Sequence, residues 1–466
     1  MQLRKFLRYA LPVVLVLYFL WLGWVGLSAR FAPDDMMNMA GYWRPGPLKV
    51  SKALVLFFSS FYRPMGGAFY LPIFYIFDMD PLPYRIGIIF LLCINTLLAY
   101  YVAQRLWASR MFAGIAAAFS CYHEGMFWLY FNTSQLYDVL CFTFWFAAFA
   151  VYLRVRQSGR LLTWRQTAIV SVLYICALNS KEMSVSFPIL LLAYEMAYNW
   201  KELRKTLGPI IVSGILTLAF VIGKTTGPEA LSKIPAYKPR ISLSQFLTSN
   251  AQYVNELFYR ESGTFDKYTV CYIWLAMVYM ALRYRRPALW WGLALAIFGT
   301  LPIAFLNDRG GGCLPIPYFG YALLWAAVLH SAARKISHEP IFRWIRMPPS
   351  YARIAVLCAG FAWYASWMLG QQGPYADAMH RTQDLTWTMI QEMQKVRPGI
   401  KQGARVLFLD DPFEDWDMLF IAELVLRDRS SNVTLQRKQD HKLSEKEIAE
   451  FDTVLTANKD EIRRLR

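Results

Sequence analysis

The chain has 466 residues, 56% of them hydrophobic and 17% aromatic, and only 17% are charged. A soluble globular protein of this length carries more charge and fewer aromatics, so the composition excludes that class and points to a polytopic helical membrane protein. The 49 basic against 32 acidic residues give a net charge of +17, but the basic residues fall mainly between apolar runs, so no nucleic-acid partner is expected.

Apolar runs long enough to span a bilayer, or nearly so, occur at 11–28, 84–103, 111–121, 133–153, 164–178, 183–198, 207–223, 269–282, 288–305, 316–330 and 354–369. The first follows Arg4, Lys5 and Arg8 and ends among large residues such as Trp24 and Arg30, so it reads as a retained anchor. Every second connection is basic: Arg105 and Arg110; Arg154, Arg156, Arg160 and Arg165; Lys201, Arg204 and Lys205; Arg283, Arg285 and Arg286; and Arg334 to Arg353. This alternation predicts about eleven transmembrane helices, with the amino terminus cytoplasmic and the carboxyl terminus outside. Most cysteines, such as Cys93, Cys141 and Cys176, fall inside apolar runs without metal spacing and read as small hydrophobic residues.

Two outer connections are long. Between residues 30 and 83, the semi-apolar stretches 48–61 and 66–77, broken by Arg63-Pro64, are too short to span and predict helices lying along the interface. The connection 224–268, rich in Pro, Lys and Ser, reads as a cover over an outer site. Beyond residue 370 hydrophobic density falls. A strand at 405–409, an amphipathic helix at 415–426 and a strand at 433–436 predict a small extramembrane α/β domain over 371–466, appended to a transmembrane domain over 1–370.

The alternation puts every short polar cluster on the outer face. Asp34-Asp35 follows directly on the first span, where desolvation and mutual repulsion penalise two neighbouring carboxylates that lack a cation, metal or proton. The simpler reading is that Asp34 caps the next helix and Asp35 is solvated. His123-Glu124 stands before an aromatic run, and alone it reads as an interfacial pair. Lys181-Glu182, between two apolar helices, reads as a local ion pair near the membrane surface. Arg309 ends a helix in the glycine run Gly310-Gly311-Gly312, where a guanidinium suits phosphate binding. No catalytic serine elbow and no zinc signature are present. Outward carboxylates, separate cations and helices between which a lipid tail could thread fit transfer of a sugar from a lipid-linked phosphate: a carboxylate serves the attacking hydroxyl as base, and fixed cations meet the departing phosphate. A transporter or flippase of lipid-linked saccharides is the main alternative, and a structural or assembly protein a third.

The chain resembles the GT-C membrane glycosyltransferases, most of all the tetratricopeptide-bearing transmembrane O-mannosyltransferases and their bacterial relatives. The resemblance is carried by Asp34-Asp35, Tyr62-Arg63-Pro64, Ile94-Asn95-Thr96, His123-Glu124, Ser180-Lys181-Glu182 with Phe187-Pro188 and Tyr194-Glu195, and Arg309 followed by Pro315 to Tyr318. It implies a polyprenyl-phosphate sugar donor and an inverting transfer on the outer face; the absence of targeting tags and the compact tail make a bacterial inner membrane, with a periplasmic site, the expected setting. It implies Asp34 or Asp35 as base or acceptor-orienting acid; Arg63, Lys181 and Arg309, with Glu182 beside them, at the donor; and His123 or Glu124 at sugar or acceptor. The repeats are absent here, so a glycan, lipid or protein acceptor stays open. Some members use a divalent metal (Mg or Mn), for which Asp35 and Glu124 are the candidate ligands.

Overall fold

A computed structural model describes the chain except for residues 1, 122, 124–127, 227–229, 231–232, 234–236, 259–262, 307–310 and 346. Each of the eleven apolar runs is helical, and among the described residues seven helices are long and apolar enough to cross a membrane. The chain is an integral membrane protein.

The first helix, α1 (Gln2–Gly23), continues as a 3₁₀ turn, Trp24–Ser28. The connection that follows folds as three short helices, α2 (Pro33–Trp43), α3 (Gly46–Val55) and α4 (Pro64–Phe77). The two expected interfacial stretches are therefore α3 and α4, and α2 is added by the aspartate pair itself. Proline stands in the first turn of each, where its missing N–H costs nothing.

Next come α5 (Pro81–Trp107), α6 (Arg110–Cys121), the short α7 (Trp128–Phe131), α8 (Leu136–Arg156) and α9 (Trp164–Ser180). Asp80 caps α5 by accepting the Leu82 N–H at 3.0 Å, and Thr163 with Gln166 forms a capping box on α9. Then follow α10 (Phe187–Tyr198), α11 (Leu203–Thr226), α12 (Leu243–Leu257) within the connection read as a cover, α13 (Lys267–Tyr284), α14 (Pro287–Phe298), the short α15 (Leu301–Ala304), α16 (Pro315–Ile336), α17 (Pro340–Trp344) and α18 (Pro349–Val396).

Aromatic layers fill the bundle: Trp291 of α14 stacks on Phe149 of α8 at 4.6 Å and 3°, and both lie near Trp145. Helices α14 and α16 approach through Gly292 and Gly320. A Cβ on Gly320 would stand 2.3 Å from the Gly292 carbonyl oxygen, main chain that cannot turn aside. Gly320→Ala is therefore expected to cost about 1–3 kcal/mol by overpacking, read as a lower midpoint of unfolding in detergent.

Helix α18 is 48 residues, about 72 Å at 1.5 Å per residue, and crosses position 370 without interruption. What changes there is its surroundings: Gln372 donates to the Leu22 carbonyl, and the buried Gln383 bridges the Arg30 N–H and the Phe131 carbonyl. The helix delivers the chain to a four-stranded sheet in the order β2 (Asn432–Leu435), β1 (Arg405–Phe408), β3 (Thr453–Ala457), β4 (Ile462–Arg464). Strand β1 pairs in parallel with β2 and β3, and β4 closes one edge antiparallel to β3. Helix α19 (Asp417–Leu426) lies between β1 and β2 in sequence, and α20 (Glu445–Ala449) precedes β3. The expected strand, helix and strand are β1, α19 and β2, whereas β3 and β4 were not foreseen. Helix α19 packs on α2, with Arg44 paired to Glu423 at 2.5 Å, and Arg429 donates to the Trp43 carbonyl at 2.7 Å.

Candidate active site

At the end of the bundle where α2 lies, one cleft of about 1460 Å³, including its open mouth, is lined by Asp34, Arg63, Gln135, Lys181, Glu182, Lys224, Tyr237 and Cys313. Apolar side chains line it as well: Phe220 and Val221 of α11, and Pro302, Ile303 and Leu306 around α15. Four of the residues singled out from the sequence, Asp34, Arg63, Lys181 and Glu182, therefore share one cavity.

The two adjacent aspartates separate. Asp34, in the first turn of α2, is exposed to the cleft, and the surrounding protein raises its carboxyl above the usual range by desolvation. Asp35 is fully buried behind it: Oδ2 accepts the Ala32 N–H at 2.8 Å, and Oδ1 lies 3.0 Å from the Tyr70 hydroxyl. The capping role expected of Asp34 belongs to Asp35, one residue further on. A carboxylate at the third helical position reaches back to the residue before the helix, while its predecessor points away.

Lys181 and Glu182 do not pair with each other, contrary to the local ion pair read from their adjacency. In the extended backbone at Lys181, neighbouring side chains diverge. The Lys181 ammonium pairs with Asp138 of α8, and its Nζ lies 3.2 Å from Cys313 Sγ. Glu182 receives a two-pronged contact from Arg63, Nη2 at 2.7 Å and Nε at 3.3 Å, and that guanidinium holds its carboxyl down at about 2 against the opposing effect of burial. Arg63 is the residue before α4 and adopts φ 40°, ψ 62°, a region few residues other than glycine occupy. Its carbonyl accepts the Tyr42 hydroxyl at 2.9 Å, and its guanidinium lies over Tyr62 and Tyr137, so packing holds the strained backbone in place.

His123 is buried away from this cleft. Its ring lies edge-on to Tyr318 at 4.6 Å, Nε2 is 3.0 Å from the Leu257 carbonyl oxygen, and it lines a separate apolar groove between α16 and α18. Burial pushes its imidazole down to about 3, so it stays neutral at physiological pH. Glu124 and Arg309 lie outside the described residues. The end of the glycine run does reach the site: Cys313 lines the cleft, and a Cβ on Gly312 would stand 2.6 Å from Gln135 Oε1.

Three site residues escaped the sequence. Asp138 is a carboxylate inside a predicted span, and an acid at that depth needs a cation, so the signal was present. Lys224 closes the apolar run 207–223 and donates to the Phe61 carbonyl. Gln135 carried no signal of its own.

Of the two candidate metal ligands, Asp35 has each oxygen in one hydrogen-bond contact within the protein, and Glu124 lies outside the described residues.

No protein-family model matches the chain, and no curated protein does. Among solved structures it is similar to ArnT from Cupriavidus metallidurans bound to undecaprenyl phosphate, with a TM-score of 0.54 at 14% identity over 91% of this chain and 85% of that one. The architecture, a helical bundle whose connections build a cleft at one end and which carries a small four-stranded domain, is thus similar in fold to that ArnT structure.

Proposed function

We propose that this protein is a membrane glycosyltransferase that moves a sugar from a polyprenyl-phosphate-linked donor to an acceptor hydroxyl, inverting the anomeric carbon. The observation that carries the reading is the cleft itself: its lining brings Asp34 together with the cations Arg63, Lys181 and Lys224 and with apolar side chains such as Phe220, Val221 and Ile303. A lipid phosphate carries both partners such a lining can meet, an anionic head and a hydrocarbon chain. That the ArnT structure was bound to undecaprenyl phosphate is in keeping with such a donor. The order of the short motifs around Asp34-Asp35, Lys181-Glu182 and Arg309 supports a place near the O-mannosyltransferases.

In the proposed step the acceptor oxygen attacks the anomeric carbon and loses its proton to Asp34, while the bond from that carbon to the phosphate oxygen breaks. The electron pair leaves with the polyprenyl phosphate, whose growing charge meets the cations of the cleft. Glu182 and Asp138 hold Arg63 and Lys181 in place, so little reorganisation is needed as charge develops. The basic connections at the opposite end of the bundle support a cytoplasmic amino terminus and an outer, periplasmic cleft in a bacterial inner membrane.

The test is transfer by the purified protein in nanodiscs from a radiolabelled polyprenyl-phosphate sugar, with release of polyprenyl phosphate measured alongside. Movement of the labelled lipid across a liposome bilayer, with no covalent change, would overturn the reading in favour of a transporter.

A further inference from the structure

Asp35 has no contact with the cleft, yet its surroundings are built with care. Its Oδ2 accepts the Ala32 N–H at 2.8 Å; its Oδ1 lies 3.0 Å from Tyr70 Oη, which in turn lies 3.2 Å from the Thr133 carbonyl oxygen. A phenol brings one proton and a carbonyl brings none. With Asp35 ionised, that single proton has two acceptors to serve, and one close contact is left without a hydrogen. With Asp35 protonated, Oδ1–H donates to Tyr70 Oη and Tyr70 donates to Thr133, and every contact is a hydrogen bond.

The groups facing Asp35 are Asp34 on α2, Tyr70 on α4, and Tyr84 and Arg85 on α5. Of the Arg85 guanidinium, Nε donates to the Gly26 carbonyl at 2.8 Å and Nη1 to Thr133 Oγ1 at 3.3 Å, while Nη2 is buried without a hydrogen-bond partner among the described residues; the charge acts on Asp35 through space and makes no hydrogen bond to it. Burial raises the Asp35 carboxyl to about 7, Asp34 adds to the rise, and the Ala32 N–H, Tyr70 and Arg85 work against it.

This chain of hydrogen bonds ties the start of α2, which carries Asp34, to α4 and to the 3₁₀ turn Thr133–Gln135, which carries Gln135. We propose that Asp35 is a positioning residue that works as a neutral carboxylic acid, clamping α2 to Tyr70 and Thr133 so that Asp34 and Gln135 face one cleft. The inference rests on that cleft being the transfer site.

The experiment compares Asp35→Ala, Asp35→Asn and Tyr70→Phe in the full-length protein, by transfer kinetics and by thermal unfolding across pH. Asparagine reproduces the protonated acid, with its oxygen towards Ala32 and its NH₂ towards Tyr70, which an ionised aspartate cannot do. Asp35→Ala and Tyr70→Phe are expected to lower kcat about tenfold or more with donor KM little changed, the signature of lost orientation. Asp35→Asn is expected to recover most of that loss.

A group whose pKa is raised on folding contributes stability that is complete below the unfolded value and lost as pH rises through the folded one. Wild type should therefore lose stability between about pH 4 and pH 7 from this site, and Asp35→Asn should lack that component. Asp35→Asn as inactive as Asp35→Ala, or a stability profile identical to wild type, would overturn the proposal. Full transfer by Asp34→Asn would instead remove the cleft as the reaction site, and the pH component of Asp35 would still be measurable.

Discussion

Asp34→Asn is expected to lower the rate of sugar transfer about 10²- to 10⁴-fold while leaving the fold intact. Asparagine matches aspartate in shape and cannot take a proton, so the loss isolates the base. Asp34 stands at the cleft surface, and among the described residues no hydrogen-bond donor or cation holds it, so its oxygens are open to an acceptor hydroxyl. Desolvation raises its carboxyl, which brings the base nearer the operating pH and makes proton transfer more effective. The acid limb of kcat/KM should accordingly lie above that of an ordinary aspartate, because the base must lose its proton before it works. Initial-rate measurements across pH, with unfolding midpoints as the control, check both statements. Unchanged turnover in Asp34→Asn would leave the proposed base without support.

Arg156→Met is expected to destabilise the protein by about 3–5 kcal/mol without entering the cleft. The Arg156 and Glu195 side chains are 1% and 0% exposed, with Nε to Oε1 at 2.9 Å, and Glu195 also accepts the Tyr152 hydroxyl at 2.8 Å. Removing the guanidinium strands a carboxylate between α8 and α10, and the desolvation cost of that orphan charge dominates the loss. Replacing both partners, Arg156→Met with Glu195→Leu, should recover most of the stability, since two apolar side chains leave nothing unpaired. Equilibrium unfolding in mixed detergent micelles reads both, and a single variant no less stable than the double would contradict the argument.

Arg156 shows where sequence reasoning reached its limit. As one of four basic residues between two apolar runs it reads as a cytoplasmic marker, and in the fold it is one half of a fully buried ion pair. The spans themselves were legible because hydropathy and length are local properties: a run of apolar residues has to be helical in lipid to satisfy its own main chain, whatever its neighbours are. The short helices α3 and α4 could be read for the same reason, from proline breaks and runs too short to cross. Strands β3 and β4 could not, because Ile462–Arg464 gains its strand character only by pairing with β3.

The site divides in the same way. That Asp34, Arg63, Lys181 and Glu182 lie at one end of the bundle followed from counting spans and basic connections. Which of them touch did not. Lys181 pairs with a residue 43 positions away, and Arg63 with one 119 away, whereas the adjacent Lys181 and Glu182 turn apart. His123, grouped with the site by sequence order, is drawn into an apolar groove by its contacts with Tyr318 of α16 and the Leu257 carbonyl.

The sequence alone therefore determined the class of fold and where the apolar helices run, since both follow from local patterns, although of about eleven expected spans seven are long and apolar enough to cross among the described residues. Only the tertiary structure decided that Asp34 faces the cleft while Asp35 is enclosed behind it, and which carboxylate holds each cation. Those choices depend on contacts between segments far apart in the chain, where desolvation makes every unpaired charge costly and so selects one arrangement.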